Sequence, residues 1–525
     1  MSPREAAQTD HMQRLMLLTA YEALESTGYY DTGDPDFRPK NGTFYGVAGD
    51  DYRQANSSQD VDINYITGGT HAFGPGRVSY YFGWKGPSMS VDTTCSASAL
   101  GDCDVALSGG ANLLTCSDMF AGLTRARFVN TTGPCKTFDE TADGYCRADG
   151  FATVVFKRLG DAIRDKNNIL GVIRSVETYH AGTAISLTHP EVDTQIALFQ
   201  SVLSAAAMTI DEIDHIELHG TGTQAGDLAE STSVAGLLNR PRPKDRPLTI
   251  SSVKPNVGHS EAASGVTSLI KGLLMLQHQT IPRHIGIKTR INPKLSVFGE
   301  LDVVVPRENM CYLALAKDGK RRILVNNFNA IGGITAMLLE EHKANPLDAA
   351  DARTHFPITV SAATATALSS SLTRLLEYLQ TNPAINLSRL SYTLTARRLH
   401  HKYRFACVVE SPDELIQRLE AEPATLKARH EEKPFSVLVL TGQTSTLPRA
   451  KALFDTNATF RSHIRHSDQL CREMSLPSFI GVITGEGEDF ACVQLQLALV
   501  ALEVALASLF QSWGIHPEAI QYDSD

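Results

Sequence analysis

Three short polar clusters carry the side chains that could do chemistry in this sequence. The first, VDTTCSA at 91–97, places Cys95 directly after an apolar strand pattern. A cysteine at a strand-to-helix turn has its thiol pKa lowered by the helix N-terminus, and the thiolate is a nucleophile. A small buried thiol without a chemical role fits the same position. A cysteine at this place can therefore be either a nucleophile or a structural residue.

The second cluster is LHGTGTQAGD at 218–227, in which His219 follows an apolar run. Read as a dinucleotide-binding fingerprint, its glycines at 220, 222 and 226 have the wrong spacing, and no strand-linked acid follows at the required distance. A structural histidine with satisfied hydrogen bonds and a functional histidine both fit this pattern.

The third cluster is SVKPNVGHSEAA at 252–263, which brings Lys254 and His259 to the turn between a strand and a helix. Lys254 alone fits an ordinary surface lysine. One thiol and two imidazoles at three strand ends suit acyl-thioester chemistry: the thiol holds an acyl group, while the imidazoles donate hydrogen bonds to a developing oxyanion and assist decarboxylation. A cysteine hydrolase is an alternative, but it needs only one histidine and leaves His259 and Lys254 unexplained.

The elements that must position these clusters alternate between strands and helices. Strands are predicted at 153–156, 213–218, 248–252 and 323–327, with another at 87–92, and helices at 195–207 and 261–277. This alternation predicts an α/β layered sheet, in which polar clusters lie just past the carboxyl ends of strands.

The N-terminal part is predicted to be helical and then β-like. Ser2-Pro3-Arg4-Glu5 is a capping box that begins a helix. A second helix runs from Asp10 to Gly28, with Leu15, Leu18, Tyr21 and Leu24 on one face. Short β-like runs broken by glycine follow over 42–92.

Composition sets the class of protein. The chain has 525 residues, enough for about three domains. Its net charge of −10 argues against a nucleic-acid partner. Nine cysteines without a CxxC pair indicate a reduced, cytoplasmic protein. The apolar stretch 495–510 contains Gln496 and Glu503, so we expect a buried helix and no membrane span, and the N-terminus shows no secretory signal.

The sequence contains five ordered motifs that resemble one family. VDTTCSAS, ELHGTGTQAGD and SVKPNVGHSEAASG are similar to the Cys-His-His signature of the β-ketoacyl synthase (ketosynthase) of polyketide synthases. TFDETADGYCRADG and NNFNAIGGITAMLLEE resemble the fungal iterative, non-reducing branch. By this resemblance, residues 1–342 are a ketosynthase domain without its first strands, 343–432 are a ketosynthase–acyltransferase linker, and 433–525 are the start of a malonyl-CoA:carrier-protein acyltransferase domain.

The resemblance implies a thiolase-like fold of α-β-α-β-α layers, followed by a small α/β linker domain and a partial α/β acyltransferase. It implies Cys95 as the acyl-accepting nucleophile, with His219 and His259 assisting malonyl decarboxylation. Lys254 would orient the second histidine, and Phe328 would line the acyl entrance. The supporting residues of the HGTGT motif are Thr221 and Thr223. No metal or intrinsic cofactor is implied.

The implied partners are malonyl and acyl thioesters on the phosphopantetheine of an acyl carrier protein supplied in trans, a second copy of the chain, and other polyketide synthase subunits. Three departures keep an alternative open. The opening strands of the family are missing before the helix that starts at Ser2. Only 96–100 separate Cys95 from Gly101-Asp102, too few residues for the usual helix, and no GxSxG elbow occurs before the sequence stops just after Ser524. The alternative is a catalytically inactive, truncated relative that acts as a dimerisation or interaction module, or a degenerate gene product.

Overall fold

The computed structural model describes residues 1–28, 40–56, 61, 63–91, 103–186, 188–238, 241–243, 246–295, 301–314, 316, 318–343, 353–421, 437–440, 442, 447–487 and 489–522. Cys95, the segment 96–102 and Ser524 lie outside these residues. The chain forms two compact units, one of Met1–Leu347 with Ala396–Leu399 and one of Asp348–Thr395 with His400–Asp525. The boundary near 347 lies close to the end at 342 that the sequence predicts for the ketosynthase domain.

The first unit contains a mixed sheet of four described strands. They are β1 (Gly42–Val47), β2 (Ser88–Val91), β3 (Val105–Asn112) and β4 (Gly150–Lys157). Their order is β2-β1-β3-β4, with β1 parallel to both neighbours and β4 antiparallel to β3. All six residues of β1 are buried, as expected for a central strand.

A second mixed sheet in this unit carries two of the polar clusters. Its strands are β5 (Val172–His180), β6 (His215–Glu217), β7 (Leu248–Ser251), β9 (Val303–Val304), β11 (Arg322–Phe328) and β12 (Gly333–Glu340). Their order is β5-β12-β11-β6-β7-β9. Strands β11, β6, β7 and β9 run parallel, so their carboxyl ends meet at one edge. The short strands β8 (Thr280–Ile281) and β10 (Met310–Cys311) form a separate antiparallel pair.

Helices complete the layers of the first unit. The α-helices are Pro3–Ala7, His11–Thr27, Asp51–Asn56, Tyr65–Gly69, Phe73–Phe82, Ser117–Arg125, Leu159–Arg164, Val192–Ala205, Gln224–Leu237, Lys254–Val257 and Ser264–His278, with 3₁₀ turns at Ile210–Glu212 and Glu261–Ala263. Helix Ser264–His278 contacts β3 and β4 of one sheet and β11 of the other, and so forms a layer between the two sheets. The layered α/β architecture expected from the alternation of strands and helices is therefore confirmed.

The predicted helix starts are correct, but one predicted helix face is wrong. Ser2 accepts a hydrogen bond from the Glu5 N–H, and the second helix ends at Gly28, whose φ is +74°. The buried residues of that helix are Met12, Gln13, Met16, Ala20 and Leu24. Of the predicted face only Leu24 is buried, and Leu18 is 51% exposed. The helix packs against β3, β4 and helix Phe73–Phe82, and the residues that it buries there follow a spacing of four, from Met12 to Leu24. The predicted face, which began at Leu15, followed a spacing of three.

The β-like reading of 42–92 is also mostly wrong. Between β1 and β2 lie three helices, and glycines occur inside two of them. Gly68 shows the reason, because a Cβ built there would lie 1.9 Å from the Gln8 carbonyl oxygen. This glycine permits a close backbone approach within the helical region and does not break a strand.

The second unit has two cores of its own. One surrounds the antiparallel strands β13 (Phe356–Ala362) and β14 (Tyr403–Val409) and the helices Ala365–Thr381, Leu387–Ala396 and Pro412–Ala421. The other is formed by the helices Leu447–Thr456, Ala458–Glu473, Ile480–Thr484 and Cys492–Ser512. The strands β15 (Val437–Leu440) and β16 (Ala519–Tyr522) pair in parallel. The assignment of these two cores to a linker and an acyltransferase fragment stays a prediction.

The apolar helix near the C-terminus is longer than expected. It spans Cys492–Ser512, and by length and composition alone its 21 residues could cross a membrane. This is weak evidence, because core helices of soluble proteins pass the same test. Ala498, Leu502 and Leu509 are buried in the second core of this unit, which agrees with the predicted buried helix.

Candidate active site

The second and third polar clusters meet at the carboxyl edge of the second sheet. His219 follows β6, Lys254 follows β7, and Phe328 is the last residue of β11. Because these strands are neighbours and parallel, their ends bring the side chains together. The His219 ring lies 5.3 Å from the His259 ring and 5.5 Å from the Phe328 ring, measured between centroids.

The backbone around His219 is fixed by a buried carboxylate. Glu230 accepts the His219 N–H at 2.7 Å and the Gly220 N–H at 2.9 Å. Gly220 and Gly222 have φ angles of +46° and +78°, in the left-handed region. A Cβ built at Gly222 would lie 2.8 Å from the Lys136 nitrogen. The glycines of the HGTG motif therefore serve a tight, closely packed turn, as expected where only glycine fits.

The imidazole of His219 is oriented by the end of β11. The backbone N–H of Phe328 lies 3.3 Å from Nδ1, and the side-chain oxygen Oδ1 of Asn327 lies 3.0 Å from the same atom. The N–H is only a donor and the amide oxygen is only an acceptor, so the two contacts call for opposite tautomers. Nδ1 accepts the Phe328 N–H, with the ring proton on Nε2, when the Asn327 carboxamide turns its NH₂ group to the ring.

The imidazole of His259 is oriented in the same way. Its Nδ1 accepts a hydrogen bond from the Glu261 N–H at 2.9 Å, which places the ring proton on Nε2. Its backbone N–H donates to the Cys146 carbonyl at 2.7 Å, and its carbonyl accepts the Ala148 N–H at 3.0 Å. The Tyr145 ring lies 4.9 Å from the imidazole. His259 thus presents an Nε2–H group, and His219 does so when its Nδ1 accepts the Phe328 N–H.

Both imidazoles are neutral at physiological pH. Burial lowers the pKa of each histidine well below its usual range, and the positive charge of Lys254 lowers both further. The neighbouring His259 adds to the lowering of the pKa of His219. Neutral Nε2–H groups are hydrogen-bond donors that do not carry a charge into the site.

Lys254 acts on the histidines through its charge. It is 1% exposed, and its Nζ has no hydrogen-bond partner among the residues that the structure describes. Burial lowers its pKa to about 8, against the opposing carboxylates of Glu230 and Glu217. The contact that orients His259 comes from the Glu261 N–H. The predicted orienting role of Lys254 is therefore not made by a direct hydrogen bond.

A cavity of about 630 Å³ opens on the two histidines. Phe328, Thr221 and Thr223 are among the residues that line it, and the hydroxyls of the two threonines lie 3.1 Å apart. Val91 also lines the cavity. It is the last described residue before the segment that carries Cys95.

Sequence reasoning missed the carboxylates below the site. Glu217 on β6 is fully buried and accepts hydrogen bonds from Lys271 Nζ at 2.5 Å and the Val253 N–H at 2.6 Å. Burial raises the pKa of this carboxyl, but Lys271 and His215 outweigh it and hold the pKa at about 2. Asp227 accepts the N–H groups of Phe138 and Gly222. Glu217 could have been found from the sequence, because an acidic residue inside an apolar strand pattern such as HIELHG indicates a buried carboxylate with partners.

Family models match two successive stretches of the sequence. The model for the β-ketoacyl synthase N-terminal domain matches residues 1–162, and that for the C-terminal domain matches 170–288. Together they span more than half of the chain. The chain belongs to the β-ketoacyl synthase family. A further model, CurL-like PKS C-terminal, matches 357–419.

Curated relatives place this ketosynthase among polyketide synthases. It is 48% identical to a non-reducing polyketide synthase of Pseudevernia furfuracea and 44% identical to the atrochrysone carboxylic acid synthase of Aspergillus fumigatus, over 99% and 98% of this chain. It spans 26% and 30% of the length of these relatives. The predicted membership in the fungal non-reducing polyketide synthase group is confirmed.

Solved structures show the same fold. The oxazolomycin ketosynthase domain of Streptomyces albus superposes with a TM-score of 0.72 at 28% identity, covering 83% of this chain and 79% of that one. The ketosynthase from module 6 of the bacillaene synthase of Bacillus subtilis gives 0.70 at 24% identity, covering 94% and 85%. The predicted thiolase-like layered fold is confirmed, while the roles of individual site residues stay predictions.

Proposed function

We propose that this ketosynthase catalyses decarboxylative condensation of an acyl thioester with a malonyl thioester, with the acyl group held on Cys95. The observation that carries the proposal is the pair of neutral imidazoles on one cavity. Each has its Nδ1 occupied by a main-chain N–H, at 3.3 Å for His219 and 2.9 Å for His259. In the tautomers that we propose, Nδ1 accepts this N–H in both rings, and the Asn327 carboxamide turns its NH₂ group to His219. Two Nε2–H donors are then available to one oxygen atom that gains charge.

The chemical steps follow from these donors. The bond between the malonyl carboxylate and its neighbouring carbon breaks, carbon dioxide leaves, and the electron pair forms a thioester enolate. The Nε2–H groups of His219 and His259 stabilise the enolate oxygen. The enolate carbon then attacks the acyl carbonyl on Cys95, a carbon–carbon bond forms, and the Cys95 sulfur leaves as a thiolate. The proposed reaction uses no metal and no intrinsic cofactor.

The proposed donor of both thioesters is the phosphopantetheine arm of an acyl carrier protein supplied in trans. Phe328 and the turn after β11 line the cavity, which supports an acyl entrance at this place. We further propose a cytoplasmic homodimer, alone or with other polyketide synthase subunits. Strand β2 supports the dimer, because it lies at a sheet edge and Ser88, Met89 and Ser90 are exposed on it. Met89→Lys should then convert a dimer to a monomer in light scattering.

A two-part assay tests the function. Purified chain is incubated with an acyl thioester, and the mass of the Cys95 peptide is compared with Cys95→Ala. Carbon dioxide release from a malonyl thioester is then measured in His219→Ala and His259→Ala, with the exposed His278→Ala as the matched control. We expect acylation that depends on Cys95, and decarboxylation lowered about 10²–10⁴-fold in the two site variants only.

Absence of acylation in a folded sample would overturn the catalytic proposal. It would leave the alternative of an inactive dimerisation or interaction module. Equal loss of decarboxylation in His278→Ala would show that the assay reports general damage and would remove the roles proposed for the two site histidines.

A further inference from the structure

We propose that Arg147 is a positioning residue for His259, which it controls through Glu261. The guanidinium holds the Glu261 side chain, and this fixes the Glu261 N–H on Nδ1 of the imidazole. The inference rests on the proposed function only in the use made of His259: the contact explains why this histidine presents to the cavity the Nε2–H group that the proposed reaction uses.

The Arg147–Glu261 contact is a buried, two-point ion pair. Arg147 Nε lies 2.6 Å from Glu261 Oε1, and the second nitrogen lies 3.1 Å from Oε2. The side chains are 2% and 19% exposed. A two-point pair between a guanidinium and a carboxylate fixes orientation as well as distance, which a lysine cannot do.

Glu261 has a backbone conformation that needs such support. Its φ is +44°, in the left-handed region that residues with a Cβ rarely adopt. Such a conformation persists only where the surroundings hold it. It is this conformation that directs the Glu261 N–H to His259 Nδ1, at 2.9 Å. The side chain held by Arg147 and the N–H that orients the imidazole belong to the same strained residue.

Arg147 is itself tied to the backbone of His259. The two residues form a β-bridge, in which the residues before and after Arg147, Cys146 and Ala148, bond the His259 backbone at 2.7 Å and 3.0 Å. The guanidinium also lies 4.7 Å from the centre of the Phe120 ring. Its remaining nitrogen is buried and has no hydrogen-bond partner among the described residues. The hydrogen bonds of the guanidinium thus go to Glu261, in keeping with a positioning role.

Loss of this ion pair should release the tautomer of His259. Without Arg147, Glu261 can relax to a negative φ, and its N–H then turns away from Nδ1. The imidazole is then free to rotate or to carry its proton on Nδ1. Glycine at position 261 should retain the positive φ even without Arg147, because glycine adopts a positive φ without a side-chain contact.

The test reads the imidazole directly. Full chain labelled with ¹⁵N-histidine is compared by NMR for wild type, Arg147→Gln and the double variant Arg147→Gln/Glu261→Gly, with His259→Gln to assign the signals. The matched control is Arg321→Gln, which breaks a partly buried pair of Arg321 with Glu341, 2.5 Å long, outside the cavity. Carbon dioxide release from a malonyl thioester and thermal unfolding are measured on the same samples.

We expect an Nε2–H signal of His259 in wild type and in the control. In Arg147→Gln this signal should give way to a mixture, and decarboxylation should fall about 100-fold, as for a misplaced catalytic group. The double variant should regain the Nε2–H signal and part of the activity, which a merely structural role of Arg147 would not allow.

An unchanged His259 signal in folded Arg147→Gln would overturn the proposal. So would a double variant that is no better than the single one. If Arg147→Gln does not fold, Glu261→Gln, which weakens the pair from the other side, answers the same question by the same signal. The NMR readout needs no turnover, so a wild-type chain without decarboxylase activity would reject the proposed function and leave the tautomer result standing.

Discussion

Glu230 offers a sharp test of how the HGTG turn is held. Its carboxylate oxygens each accept one backbone N–H, from His219 at 2.7 Å and from Gly220 at 2.9 Å. Glu230→Ala leaves both donors buried without their acceptor. Glu230→Gln keeps one carbonyl oxygen and turns an NH₂ group toward the other donor. The two variants therefore remove two and one of these hydrogen bonds.

The magnitude follows from the cost of an unsatisfied buried donor, about 1–3 kcal/mol. Glu230→Ala should lower the free energy of local opening by about 2–6 kcal/mol and Glu230→Gln by about half as much. Because about 1.4 kcal/mol is tenfold in an equilibrium constant, amide protection in the Ala variant should fall by a factor of roughly 30 to 10⁴.

Hydrogen exchange followed by mass spectrometry gives the measurement, on peptides that contain residues 218–223 of the full chain. The exposed Glu308→Gln serves as the control. The reasoning is refuted if protection in Glu230→Ala stays within threefold of wild type. It is also refuted if the Ala and Gln variants lose equal protection, because the order of the two variants comes from the number of acceptors.

Three further predictions concern charge, packing and reactivity. Because burial and Lys254 lower the pKa of both histidines, decarboxylation should not fall as the pH decreases from 7.5 through 6.5. Lys254→Met should raise both pKa values and move the acid limb of the pH–rate profile to higher pH. Gly110→Ala should destabilise by ~1–3 kcal/mol in urea unfolding, since its Cβ would lie 2.5 Å from Ala263 Cα, while Gly122→Ala, with open space around it, should stabilise by ~0.5–1 kcal/mol. N-ethylmaleimide should label the exposed Cys311 and Cys492 before Cys135, whose thiol pKa is raised by burial, as peptide mapping would show; early labelling of Cys135 would contradict this.

The parts of the fold that sequence predicted well are those with strong local patterns. The strands at 248–251 and 322–328 were placed within about one residue, because each has a short centre of apolar and β-branched residues, LTI at 248–250 and ILV at 323–325. The region between β1 and β2 was misread because its glycines allow close contacts between distant segments. No local pattern shows that the Cβ of residue 68 would meet the Gln8 carbonyl.

The site was predictable in its residue types and not in its contacts. His219 and His259 follow from their places after apolar strands, and the structure brings their rings to 5.3 Å. The groups that contact their Nδ1 atoms include the main-chain amides of Phe328 and Glu261, which any residue type supplies. The effect of Lys254 on the pKa of both histidines depends on its burial in the folded protein. From sequence alone, a single lysine is expected at the surface.

The tautomers also show which property of histidine this site requires. A ring nitrogen that accepts a main-chain N–H is unavailable as a base, and a neutral ring with a proton on the opposite nitrogen offers one donor at a fixed angle. A carboxamide NH₂ group held at the position of the Nε2–H group would also donate one hydrogen bond without carrying a charge. The two imidazoles thus act in the manner of amides, so asparagine or glutamine is a nearer chemical substitute at these positions than lysine, arginine or aspartate, each of which would bring a charge into a buried site.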